Sequence, residues 1–367
     1  GCGMRSEPRL TIRGLRAVPH GGFYHEELTA LGLKPEDLID FSVSTNPFMP
    51  PEGIREVIAG SAVERYPDSR ATELAEKLAE RLGAGPENVL VGSGTTELIR
   101  AVATTYFRQR DRVLIVGPTY GEYEPAVRLA GARPVPYRAR EEDDFKPDFN
   151  VINGILRELR PRAAFVCQPN NPTGYLHPQE ALDGMASAAA DALLVLDEAY
   201  HSFTEAGRPP RRSEARANVI TLRSMTKDYG LPGLRLGYAV AAADIIENLR
   251  RSLPPWNVNA PAQAAGLWVL GKDKELAASL KQVREARDFL MREISGLGFR
   301  VVPSDANYFL VRAGNGAACR RDLLREGLMV RDCASFGLPA YVRIAPRTLP
   351  DCRKLVKALG RLTGDAS

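Results

Sequence analysis

Between residues 89 and 240, short apolar runs of strand length recur seven times, at 89–91, 112–117, 133–137, 163–168, 192–197, 218–223 and 236–240. Helical stretches separate most of them. Strands joined through helices predict an α/β fold with a mostly parallel sheet covered on both faces. In such sheets ligands collect beyond the carboxyl ends of the strands. The sequence places its chemistry there. Gly92-Ser93-Gly94-Thr95 follows the first run and Pro118-Thr119-Tyr120 the second. Pro169-Asn170-Asn171-Pro172-Thr173-Gly174 follows the fourth, Asp197-Glu198-Ala199-Tyr200 ends the fifth, and Ser224-Met225-Thr226-Lys227 follows the sixth.

Lys227 sits between two apolar runs, where a charged amine is costly to bury. Bonding the amine to an aldehyde cofactor removes that cost. Pyridoxal 5′-phosphate meets the other strand ends as well. A carboxylate must keep its pyridine nitrogen protonated, and Asp197 closes an apolar strand. Asn171 and Tyr200 are the expected partners of the phenolic oxygen, and Tyr120 the aromatic face that stacks on the ring. Ser93, Gly94, Thr95, Ser224 and Arg235 are the expected phosphate cradle, because a helix opening at Thr96 presents free N–H groups and its positive dipole end. Glu97 stands where a dinucleotide fingerprint needs its third glycine, so a single phosphate fits better than a pyrophosphate. Each residue alone has a structural reading: Asp197 a cap, Tyr120 core, the Pro-Asn-Asn-Pro segment a turn. Their joint occurrence at strand ends argues for the site.

From about residue 273 the pattern changes to a long charged helix (273–294) and strands at 300–303 and 308–312. A helix near 317–325, strands at 329–332 and 341–344 and a last helix near 351–362 follow. This predicts a smaller α+β domain at 261–367, a large cofactor domain at 46–260 and an N-terminal arm at 1–45 that reaches the site. The arm carries His20-Gly21-Gly22, which reads either as a turn with a solvated histidine or as part of the site.

The 367 residues carry a net charge of only +4, and the densest basic cluster, at 208–212, reads as a solvated loop. Nucleic acid is therefore not an expected partner, whereas a small anionic substrate is. Four histidines without ligand spacing predict no metal site. Five cysteines without a C-x-x-C pair predict reduced thiols in a cytoplasmic protein. No apolar run reaches membrane-spanning length, and the first twenty residues contain no leader-like apolar core.

Pro169–Gly174, Asp197–Tyr200 and Ser224–Lys227, with Gly233-Leu-Arg-Leu-Gly-Tyr238, resemble the fold-type-I pyridoxal phosphate enzymes of the class I/II aminotransferase superfamily. The likeness runs from His20 to about Arg347. It implies an aspartate-aminotransferase-like fold and a homodimer in which Tyr66, from Arg65-Tyr66-Pro67-Asp68, reaches the neighbouring subunit's cofactor phosphate. Within the superfamily the chain resembles histidinol-phosphate aminotransferase and L-threonine-O-3-phosphate decarboxylase of cobalamin synthesis. His20-Gly-Gly, Pro255-Trp-Asn-Val-Asn259 and Val330-Arg-Asp-Cys333 look more like the decarboxylase. Phe23 and Ser44 depart from its pattern. The resemblance implies that Arg343 pairs with a substrate carboxylate. It also implies that His20, Gly21, Gly22, Asn46 and Arg331 enclose a substrate phosphate, with Asn171 beside them. Decarboxylation of threonine phosphate to an aminopropanol phosphate is the expected reaction, and transamination of histidinol phosphate the alternative.

Overall fold

The computed structural model describes residues 7–189, 191–204 and 216–364. The basic cluster at 208–212 lies outside them. In chain order the first strand is β1 (Ile39–Asp40), in the N-terminal arm. Next come β2 (Val89–Gly92), β3 (Arg112–Gly117), β4 (Arg133–Arg138) and β5 (Ala163–Cys167). They are followed by β6 (Leu193–Asp197), β7 (Val219–Ser224) and β8 (Gly237–Val240). Strands β2 to β8 form one sheet in the order β2-β8-β7-β6-β5-β3-β4. Only β8 runs against its neighbours, β2 and β7. The carboxyl ends of the six parallel strands therefore meet along one edge.

Both faces of this sheet are covered, which is why its strands read as continuous apolar runs. In β5, Ala163, Phe165 and Cys167 face a layer that includes Leu98, Val102, Val127 and Ile246. Ala164 and Val166 face the opposite layer, with Ile152, Leu156, Leu182 and Met185. Phe165 and Val166 have no exposed surface, and each such side chain contributes roughly 1.5–3 kcal/mol through burial.

The chain then builds β9 (Arg300–Val301), β10 (Phe309–Arg312), β11 (Leu328–Met329), β12 (Arg331–Asp332) and β13 (Tyr341–Ile344). An antiparallel sheet in the order β12-β13-β10-β9 packs under the helices Asp273–Gly296 and Leu349–Gly364. The run at 329–332, expected as one strand, divides at buried Val330. Before it β11 pairs in parallel with β1, and after it β12 pairs with β13. Phe41, immediately after β1, is fully buried among Leu290, Phe309, Val342 and Leu355. Among the described residues no helix is long and apolar enough to cross a membrane.

Candidate active site

Two adjoining cavities open at the carboxyl edge of the large sheet and share Thr96, Tyr120, Asn171, Tyr200, Lys227 and Arg235. The inner one also exposes Gly94, Thr95, Asp197 and Ser224. The outer one, about 290 Å³, lies between the sheet edge, the arm and the second sheet.

Strand termini position the inner group. Asp197 is the last residue of β6 and Ser224 the last of β7, with Lys227 three residues beyond. Gly94 caps the helix Thr95–Tyr106 with φ 86° and ψ 165°, a conformation open essentially to glycine alone. A Cβ there would lie 2.8 Å from Arg235 Nη2. A helix N-terminus and a guanidinium thus converge on a space that only glycine leaves open, which suits an anion. Arg235, itself at φ 55°, donates Nη1 to the Pro232 carbonyl at 3.3 Å and lines both cavities. Ser93 stands apart: it does not line either cavity, and its hydroxyl is 3.5 Å from the Arg235 carbonyl oxygen.

Asp197 is fully buried, and burial pushes its carboxyl above the usual carboxylate range. The Tyr123 hydroxyl donates to Oδ2 at 2.7 Å and the Ala199 N–H to Oδ1 at 3.1 Å, both opposing that rise. The Lys227 amine has no hydrogen bond or ion pair among the described residues and stands 5.8 Å from the centre of the Tyr200 ring. Burial pushes the Tyr120 phenol up to about 12, so it stays protonated beside the Thr96 hydroxyl, 3.3 Å away.

The outer cavity is dominated by two arginines. Arg331 on β12 lies directly opposite Arg343 on β13, so the pair shares one face of the sheet. Both are buried, at 9% and 5% exposure. Arg343 donates Nη1 to Asn171 Oδ1 at 2.5 Å and Nη2 to the Ser42 carbonyl at 2.8 Å, while its Nε is buried without a partner. Arg331 donates Nη2 to the Pro19 carbonyl at 2.7 Å and to Ser335 Oγ at 2.8 Å. Burial, and then Arg343 itself, push Arg331 below the usual arginine range. Two like charges held side by side out of water favour an anion between them.

The arm residues divide. Gly21 lines the outer cavity and packs so closely that a Cβ would lie 2.5 Å from the Ser42 carbonyl oxygen. Gly22 does not line it, and donates its N–H to Ser42 Oγ at 2.8 Å. His20 does line it, yet its Nε2 lies 2.8 Å from Glu122 Oε1, which leaves a carboxylate where a phosphate was expected. Asn46 lines neither cavity. Its amide donates to the Asp228 carbonyl at 2.9 Å and Ser279 Oγ at 2.8 Å, and accepts from the Phe48 N–H at 3.0 Å. With these partners, Asn46 fastens the arm to the segment after Lys227. Tyr66 lies outside both cavities, 74% exposed and stacked on Trp256 with centroids 4.3 Å apart. Sequence reasoning missed Thr96, Glu122 and Tyr123. The last was signalled only by two tyrosines three residues apart in Tyr120-Gly-Glu-Tyr123.

Residues 36–359 match the family model described as Aminotransferase class I and II. A histidinol-phosphate aminotransferase of Moorella thermoacetica is 35% identical over 359 residues, which cover 96% of this chain and 92% of that one. Among solved structures, L-threonine-O-3-phosphate decarboxylase from Porphyromonas gingivalis superposes with a TM-score of 0.78. It is 27% identical, with 88% of this chain and 98% of that one covered. Histidinol-phosphate aminotransferase from Sinorhizobium meliloti, solved with pyridoxal 5′-phosphate, superposes over both full lengths with a TM-score of 0.87. At 23% identity that likeness is one of fold.

Proposed function

The chain belongs to the class I and II aminotransferases, and from that membership we propose a pyridoxal 5′-phosphate enzyme that transfers the amino group of a small phosphate-bearing amine, histidinol phosphate foremost. The open cradle at Gly94, the unpartnered amine of Lys227 and the buried carboxylate of Asp197 fit a phosphate, an aldehyde and a pyridine nitrogen in turn. Bound there, the cofactor supplies an electron-withdrawing ring that accepts the electron pair released at the substrate's α-carbon. Lys227 would hold the aldehyde through its Nζ and would move a proton at the substrate's α-carbon. Asp197 would keep the ring nitrogen protonated. Asn171 and Tyr200 would hold the phenolic oxygen, Tyr120 would cover the ring, and Thr95, Ser224 and Arg235 would hold the phosphate with the Gly94 backbone.

The observation that carries the substrate class is the cross-strand pair of Arg331 and Arg343, two buried cations facing one cavity. It suits the phosphate of histidinol phosphate in one half-reaction and the carboxylates of an amino-donor such as glutamate in the other. The relatives named above move the reading away from the decarboxylation expected first and toward its alternative. The decarboxylase reading keeps one favourable observation. A substrate with both phosphate and carboxylate would occupy both arginines at once, and a solved decarboxylase shares the fold at 27% identity. The same residues would serve either reaction.

We place the arm at 1–45, the cofactor domain at 46–260 and the small domain at 261–367, in a homodimer completed by Tyr66 from the second subunit. Buried free thiols at Cys167, Cys319, Cys333 and Cys352 suit a reducing compartment. The test offers the purified protein histidinol phosphate with 2-oxoglutarate, then threonine phosphate alone. Glutamate formation in the first and no CO₂ in the second is the expected outcome. The reverse pattern replaces the aminotransferase reading with the decarboxylase, and silence in both removes the substrate class.

A further inference from the structure

One buried hydroxyl beside the candidate site has no place in the scheme above. Tyr123 opens the helix Tyr123–Leu129, and its side chain has no exposed surface. Its ring lies parallel to Phe165, 4.8 Å between centroids and 8° between planes, and edge-on to Tyr120 at 5.5 Å. These contacts aim the hydroxyl at Asp197 Oδ2, 2.7 Å away. The Ala199 N–H takes the other oxygen, Oδ1, at 3.1 Å. One donor on each oxygen fixes the rotation of the carboxylate about its Cβ–Cγ bond, while each oxygen keeps a lone pair for a further donor.

We propose that Tyr123 is a positioning residue, whose hydroxyl holds the Asp197 carboxylate charged and in one orientation and thereby sets how tightly the cofactor's pyridine ring is held. This rests on the cofactor reading given under Proposed function. Burial keeps the Tyr123 phenol protonated far above the ordinary tyrosine range, so the hydroxyl remains the donor and Asp197 the acceptor. The bond opposes the upward pull of burial on the carboxyl. Without it, Asp197 takes up a proton at higher pH, and a protonated carboxyl no longer pairs with a protonated ring nitrogen. Cofactor affinity in a variant lacking the hydroxyl must therefore fall more steeply as pH drops. Lys227, Glu198, Cys167, Tyr120 and Tyr308 also act on or feel the Asp197 charge. Tyr123→Phe leaves these five side chains in place, and of them Cys167 also loses its hydrogen bond to the Tyr123 hydroxyl.

The variant is Tyr123→Phe, which keeps the stacked ring and deletes one atom. The full chain, stripped of cofactor, is titrated with pyridoxal 5′-phosphate at pH 6 and pH 8, following the absorbance of the bound cofactor. A hydrogen bond to a charged group corresponds to at least about a tenfold change. The expected dissociation constant at pH 6 is thus raised about tenfold, with a clearly smaller rise at pH 8. In an Asp197→Asn background, Tyr123→Phe should add no pH-dependent loss. Equal weakening at both pH values would mean a packing role only and overturns the proposal, as does unchanged affinity. A Tyr123→Phe chain that fails to fold also overturns it, since the hydroxyl would then serve the fold. If the unaltered protein binds no pyridoxal 5′-phosphate, the cofactor reading itself is lost. Binding by the unaltered protein with an indifferent Tyr123→Phe removes this inference alone.

Discussion

Replacing Gly94 with alanine tests the phosphate cradle through two effects that can be measured apart. The first is backbone strain. At φ 86° and ψ 165° a Cβ is tolerated poorly, and holding a non-glycine residue in such a region costs on the order of 1–3 kcal/mol. The second is a collision, because the new methyl would lie 2.8 Å from Arg235 Nη2 and 3.3 Å from its Cζ. That guanidinium is the mobile end of a long side chain, so it moves aside cheaply and leaves the anion site. Losing its hydrogen bonds to a phosphate forfeits about 1.5–3 kcal/mol, or roughly 10- to 150-fold in cofactor affinity. The strain appears in thermal or urea unfolding of cofactor-free protein, and the collision in a titration with pyridoxal 5′-phosphate. Arg235→Gln separates them. In that background Gly94→Ala should keep its full stability loss and cost little further affinity. An alanine variant that binds the cofactor as tightly as the unaltered protein would refute the cradle.

Two further outcomes are expected, the first from the proposed homodimer and the second from burial of Asp228. Mixed dimers of Lys227→Ala and Tyr66→Phe subunits should recover part of the activity that each variant lacks alone, since one site in each mixed dimer is then intact. No recovery after confirmed subunit exchange would count against a shared site. Burial pushes the Asp228 carboxyl up from 3.8 to about 6, with the Ser202 hydroxyl and the Tyr229 N–H partly opposing it. A raised carboxyl stabilises the fold below pH 3.8 and loses that contribution as pH climbs through 6. The difference of about 2 pKa units corresponds to about 3 kcal/mol. Asp228→Asn should lack that decline between pH 4 and pH 7 in urea unfolding, and an unchanged slope would contradict the buried charge.

The sheet was legible in the sequence because a strand buried on both faces needs no partner to be recognised: Ala163–Cys167 is apolar throughout. Lys227, Asp197 and Tyr120 were legible because parallel strands deliver their following residues to one edge. What escaped depends on register and on which way a side chain turns. Arg331 and Arg343 are twelve residues apart, and nothing in their spacing says that β12 and β13 set them face to face. Asn46 sits in the expected segment, but Asp228 and Ser279, both distant in sequence, take its two amide protons. His20 reaches the cavity, yet Glu122, a hundred residues later, meets it first. Tyr123 matters only because a helix begins at that residue and points its hydroxyl at Asp197.

The pairing of β1 with β11 joins Ile39 to Leu328 and Asp40 to Met329, and so ties the order of synthesis to the order of folding. At about 5–20 residues per second, the partner of β1 emerges on the order of 15–60 s after β1 itself. For that interval the ladder groups of Ile39 and Asp40 have no mate, and Phe41, fully buried in the finished protein, has no core to enter. The large sheet, whose strands all lie between residues 89 and 240, can form while the arm waits. The arm residues are thus among the last to settle, and the outer cavity that they wall cannot close until β11 has been made.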